Sequence, residues 1–166
     1  MASQSSGSNP QVEQARQLFN SLSQGRKIAL IAAAVGLVFS FFPWYSVSVN
    51  IAGFSSSGSE SGWHGWGWVA MLCFIAAGAL ILLPVRGISL RSLIPSLPPT
   101  VTDARLVLGA GGVGALAVIL FMLREGSSTS GPGYSAGPSI GAYVGLLCAL
   151  AIAAGGYLMQ QESTAR

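Results

Sequence analysis

Residues 106–123 read LVLGAGGVGALAVILFML, an unbroken apolar run without a charge. A soluble helix keeps a polar face, whereas this run is apolar all round, which suits lipid. Three more stretches share that character: Ile28–Pro43, Val69–Leu83 and Ile140–Met159. Each is roughly 15–20 residues long, near the ~20 that a helix needs to cross a ~30 Å hydrocarbon layer. Backbone groups in lipid must be bonded within the segment, so each run is read as a helix. The predicted fold is therefore all-α and integral to a membrane: a bundle of four transmembrane helices, with a short β-hairpin in the first outer loop. The corresponding division is a cytoplasmic tail with an amphipathic helix over 1–26, a membrane domain over 27–160, and a cytoplasmic tail over 161–166.

Composition agrees with lipid as the principal surroundings. Hydrophobic residues make up 51% of the chain and charged residues 8%, against ~25% charged in soluble domains. A net charge of +3 without a basic cluster excludes nucleic acid as a partner. Cys73 and Cys148 both fall inside predicted spans, where they read as small packing residues, and no Cys-x-x-Cys spacing suggests a metal. The first run ends in Phe41-Phe42-Pro43-Trp44-Tyr45, an aromatic belt at the membrane interface rather than a cleavage site, so it is expected to be retained.

Basic residues in short loops set orientation. Arg16, Arg26, Lys27, Arg86, Arg91, Arg105 and Arg166 fall on one side of a chain that crosses four times, and Arg124 alone on the other, beside Glu125. Both termini and the middle loop are then expected in the cytoplasm.

Met1–Ser8 is small, polar and expected to be disordered. Asn9-Pro10 opens a helix in which Val12, Ala15, Leu18, Phe19 and Leu22 recur at helical spacing. It reads either as an amphipathic helix on the inner membrane surface or as an extension of the first span, with Gly25 as a hinge. In the first outer loop Tyr45, Val47, Val49 and Ile51 alternate with Ser46, Ser48 and Asn50, the period of a half-buried strand. Pro84, Pro95, Pro98 and Pro99 argue against a long helix in the middle loop. The second outer loop, Gly126–Ser139, is rich in Gly, Ser and Pro and reads as a mobile linker.

Chemistry-bearing patterns are few. Gly109-Ala110-Gly111-Gly112-Val113-Gly114 matches G-x-G-x-x-G, but the apolar run continues where a nucleotide site needs a βαβ unit, so no cofactor is expected. The alternative use of Gly109, Gly112 and Gly114, and of the Gly141/Gly145 pair, is close helix packing. His64 stands between Trp63 and Trp66 without a second ligand or catalytic partner. The two tryptophans read either as headgroup-level anchors or as an apolar surface for docking a partner. None of the spans carries an interior ionisable residue of the kind that ion coupling requires. No serine or cysteine has a base beside it, so no catalytic or metal site is expected.

The Phe42-Pro43-Trp44-Tyr45 exit and the Gly62-Trp63-x-Gly65-Trp66 re-entry resemble those of small, uncharacterised bacterial four-span membrane proteins. Gly141-Ala142-Tyr143 and Gly155-Gly156-Tyr157 are similar too. That resemblance implies a bacterial inner-membrane location and no transferable activity. The topology also resembles claudin-like tetraspans, without their paired loop cysteines. The reading reached is a non-enzymatic structural or accessory subunit acting through contacts with another membrane protein or with itself. The alternative is a passive channel or transporter component built as a homo-oligomer.

Overall fold

Pro43 decides where the first apolar helix stops. The computed structural model describes residues 10–96, 98, 100–124 and 128–165. In it α1 (Pro10–Ser21) is followed, after a break at Leu22-Ser23, by α2 (Gln24–Phe39). Proline disfavours the helical conformation of the residue before it, and the chain is already a strand from Pro43 onward. The 16 residues of α2 span about 24 Å at 1.5 Å per residue. Among the described residues three helices are long and apolar enough to cross a membrane: α3 (Gly67–Val85), α5 (Asp103–Arg124) and α6 (Ile140–Thr164). The four-residue α4 (Leu90–Leu93) lies between α3 and α5, its Ser89 cap accepting a hydrogen bond from the Ser92 amide at 3.3 Å.

The expected all-α, four-transmembrane-helix bundle is therefore corrected on two counts. Among the described residues three helices, not four, reach spanning length, because the run 28–43 gives its last residues to a turn and a strand and α2 begins on the polar Gln24-Gly25-Arg26-Lys27. The molecule is also not all-α, since it carries a four-stranded antiparallel sheet. The break between α1 and α2 falls at Leu22-Ser23 rather than at Gly25, which is packed against α6. The disorder expected of Met1–Ser8 lies outside the described residues.

Helix packing rests on small residues. α6 lies along both α2 and α5, and α3 packs on α5 and α2. A Cβ at Gly155 would stand 2.8 Å from that of Ala29, and one at Gly156 would stand 2.8 Å from Cα of Leu108. Such approaches let the helix backbones meet closely, the small-residue packing that membrane-spanning helices also use. Met71, Phe74, Ile81, Val107, Val118, Phe121 and Ile152 fill the interior, while Ile31, Leu72, Leu116, Leu147 and Leu150 point outward.

The sheet has the order β2-β1-β4-β3 and unites both connections at one end of the helices. β1 (Pro43–Ile51) and β2 (Phe54–Ser61) join through Ala52-Gly53, both at positive φ (51° and 84°), the geometry of a type I′ hairpin. β3 (Thr129–Gly131) and β4 (Tyr134–Pro138) turn at Pro132-Gly133, with Gly133 at φ 77°. β4 pairs with β1 from Tyr45↔Pro138 to Val49↔Tyr134. The Asn50 amide donates to Gly133 at 2.6 Å and the Ser139 amide to Trp44 at 2.8 Å, closing both ends of that pairing. The expected mobile linker is thus, over 129–138, a hairpin of the sheet. Its Ser/Gly composition has low strand propensity, and the ladder to β1 supplies the bonds that a linker would give to water.

Candidate functional site

The junction between sheet and helices is built around Trp44. It is 0% exposed, although the sequence places it in an interfacial belt. An irregularity in the β1–β2 register between Pro43 and Tyr45 frees Trp44 from the ladder, as β-bulges re-aim a side chain. Its indole fills a slot that three glycines leave open. A Cβ at Gly62 would stand 2.6 Å from Cε2, one at Gly145 2.6 Å from Cζ2, and one at Gly141 2.8 Å from Nε1. Phe121 of α5 meets the ring edge-on, with centroids 5.6 Å apart and planes at 77°. The indole N–H donates to the Phe39 carbonyl at 3.0 Å, satisfying a group at the end of α2. One side chain thereby ties β1, α2, α5 and α6 together.

Beside it, Ser40 is fully buried and accounts for its hydrogen-bonding groups. Its hydroxyl donates to Leu37 O at 2.6 Å and accepts the Trp63 indole N–H at 3.1 Å, while its carbonyl accepts from the Gly62 amide at 3.1 Å. Trp63 is thus fixed by its polar edge, with Phe41 6.0 Å from its ring and 41% of its surface exposed. Trp66, 40% exposed, sits at the start of α3. Together with exposed Phe41, Phe42, Trp68 and Tyr143, and the aliphatic Ile140, they form an apolar, largely aromatic zone around this end of the helices.

The glycines singled out by sequence separate into two groups. Gly141 and Gly145 line the Trp44 slot, and Gly114 stands where its Cβ would be 3.3 Å from that of Cys73 and 3.6 Å from that of Ala149. Gly109 and Gly112 have open space around them; the close approach on that helix is made by Gly111, whose Cβ would run into the backbone of Ala153. The spacing of Val107, Gly111, Gly114, Val118 and Phe121 is the signal that marks this face, and all five are buried. Gly62 and Trp44 had no such signal, because their partners are distant in sequence.

Beyond the junction, strand register puts Tyr45, Val47 and Val49 on one face with Tyr134, Ala136 and Pro138. The other face carries Ser46, Ser48, Asn50, Ser55, Ser57 and Ser59. Ser48 and Ser135 hydroxyls meet across the strands at 2.8 Å. β2 is the long outer edge: its eight residues, FSSSGSES, pair with β1 on one side only. It holds no proline and no lysine, and seven of its residues are exposed.

Among the described residues no group of three His, Cys, Asp or Glu side chains could hold a metal ion. His64 is exposed, and Cys73 and Cys148 are free thiols within α3 and α6. The chain matches no protein-family model and no curated protein sequence. The fold and this junction therefore define the class: apolar helices of membrane-spanning length carrying a four-stranded cap at one end.

Proposed function

We propose that the chain is an integral membrane protein without catalysis of its own, an accessory or structural subunit whose sheet is the contact surface outside the bilayer. α3, α5 and α6 are the helices of spanning length, the shorter α2 runs beside α6 between the same two ends, and the end bearing Arg26, Lys27, Arg86 and Arg105 faces the cytoplasm by the bias of basic residues toward that side. The C-terminal end of α6 lies at this same end, where Glu162 accepts a hydrogen bond from the Gly25 amide at 3.2 Å.

The observation that carries the reading is the open β2 edge. An exposed strand edge offers unpaired backbone groups to another chain, and proteins that must avoid such pairing blunt it with proline, lysine or a covering loop. Here none of the described residues covers it, neither residue type interrupts it, and its single charge, Glu60, and the register irregularity lie at its helix-proximal end, leaving Phe54–Ser59 open. Trp63 and Trp66 stand just beyond its last residue and supply the aromatic contacts that often dominate binding.

A photoreactive amino acid at position 57, on that edge, tests the proposal against one at position 147 on the outward face of α6. In native membranes position 57 should give a discrete protein adduct and position 147 lipid alone. Absence of a protein adduct at 57 would remove the reading. An adduct of twice the 17.0 kDa chain mass would assign the edge to a second copy.

A further inference from the structure

The first helix is exposed from Gln11 to Ser21, yet it is not polar all round. At 3.6 residues per turn, Val12, Ala15, Leu18, Phe19 and Leu22 fall within about a third of its circumference. Glu13, Arg16, Gln17 and Asn20 occupy the other side. Leu22, at the end of the apolar strip, is buried in the core, so the strip is continuous with the packed interior of the helices. Val12, Leu18 and Phe19 are left uncovered by the described residues.

The connection holds this end of α1 close to the helices. The Lys27 ammonium lies 5.7 Å from the centroid of the Phe19 ring and donates to the Asn20 carbonyl at 3.2 Å. Only Leu22 and Ser23 separate α1 from α2, whose start is held by Gly25 against Gly155 and Met159. Five of the eight basic residues (Arg16, Arg26, Lys27, Arg86 and Arg105) belong to this end, against Glu13, Asp103 and Glu162.

We propose that α1 lies flat in the headgroup layer of the same bilayer, its Val12–Leu18–Phe19 strip against the acyl boundary, and that anionic phospholipid is the surface it takes. The proposal rests on the membrane placement argued above. Continuity of the strip with the helix core selects the bilayer as the occupant, because the apolar surface emerges at the level where the spans end. Charge selects the lipid class, since basic residues near an anionic leaflet each add attraction that a neutral surface lacks. Interfacial helices bind by this pairing of apolar area with headgroup charge.

Single cysteines at positions 19, 17 and 147, in a Cys73→Ala/Cys148→Ala background, would carry an environment-sensitive fluorophore. The full chain is reconstituted in vesicles of phosphatidylcholine with or without phosphatidylglycerol, with iodide on both sides. Quenching at 19 should be several-fold weaker than at 17, and the contrast should grow with phosphatidylglycerol; position 12 repeats the test should the variant at 19 fail to fold. Equal quenching at 19 and 17 while 147 stays shielded would overturn the assignment of α1. Quenching at 147 would instead overturn the membrane placement. A contrast indifferent to phosphatidylglycerol would refute the anionic surface, and one lost on diluting the protein in lipid would give the strip to a second copy and refute the proposal.

Discussion

Trp44→Ala should be the most damaging single substitution in the sheet–helix junction. It removes a side chain that is 0% exposed, held edge-on by Phe121 at 5.6 Å and bonded to the Phe39 carbonyl at 3.0 Å. Truncating a fully buried Trp costs about 3–5 kcal/mol in transfer and cavity terms. The Phe39 carbonyl keeps a second donor, the Phe42 amide at 3.2 Å, so no unsatisfied group adds to this. For a chain of this length the cost corresponds to a fall of roughly 6–20 °C in the unfolding midpoint. Thermal unfolding in a mild detergent, with Trp68→Ala as the 51% exposed control, is the assay. Gly145→Ala should cost about 1–3 kcal/mol by overpacking the slot. Combined with Trp44→Phe it should cost less than the two changes added, because the smaller ring vacates the space that the new methyl needs. If Trp44→Ala lowers the midpoint no more than Trp68→Ala, or if the double variant is simply additive, the slot is not what holds the junction.

The glycines of α5 should part by face: Gly111→Ala should destabilise by about 1–3 kcal/mol, while Gly112→Ala, with open space around it, should be neutral or stabilising by up to ~1 kcal/mol through helix propensity. Denaturation of the two variants side by side measures the difference. Ala52 holds φ 51° in the β1–β2 turn, a conformation costing an L-residue about 1–2 kcal/mol, so Ala52→Gly should raise the unfolding midpoint where the hairpin is part of the cooperative unit. Trp63→Ala/Trp66→Ala should abolish the protein adduct from position 57 while membrane insertion survives; loss of insertion in a fractionation assay would make the pair anchors instead.

The parts of this fold legible in sequence are those set by neighbours within a few residues. The apolar runs of α3, α5 and α6 follow from composition, and the alternation from Tyr45 to Ile51 marks β1 before any partner is known. The partner strand β4 was illegible, because Tyr134–Pro138 is a Ser/Gly segment that becomes a strand only when β1 lies beside it. The length of α2 is hidden in sequence for a local reason: Ser40, Phe41 and Phe42 are as apolar or small as helix residues, yet Pro43 turns them out of the helix. Trp44 looks like any interfacial tryptophan until Gly62, after β2, and Gly141 and Gly145, on α6, converge on it from two other segments. Along α5 the close packing was legible, but the choice of Gly111 over Gly112 depends on a rotation that only the buried spacing of Val107, Gly114, Val118 and Phe121 reveals.

Ser48 and Ser135 offer the most direct measurement of the whole arrangement, since their hydroxyls lie 2.8 Å apart between strands from the two different connections. Ser48→Cys/Ser135→Cys, in a Cys73→Ala/Cys148→Ala background, should form a disulfide in intact cells without added oxidant, and a membrane-impermeant reductant should open it. That outcome requires β1 and β4 to pair and the sheet to stand in the oxidising space outside the membrane. Thiols that stay free in cells but close when permeabilised membranes are treated with an oxidant would contradict the placement of the sheet, and thiols that stay free even then would contradict the pairing.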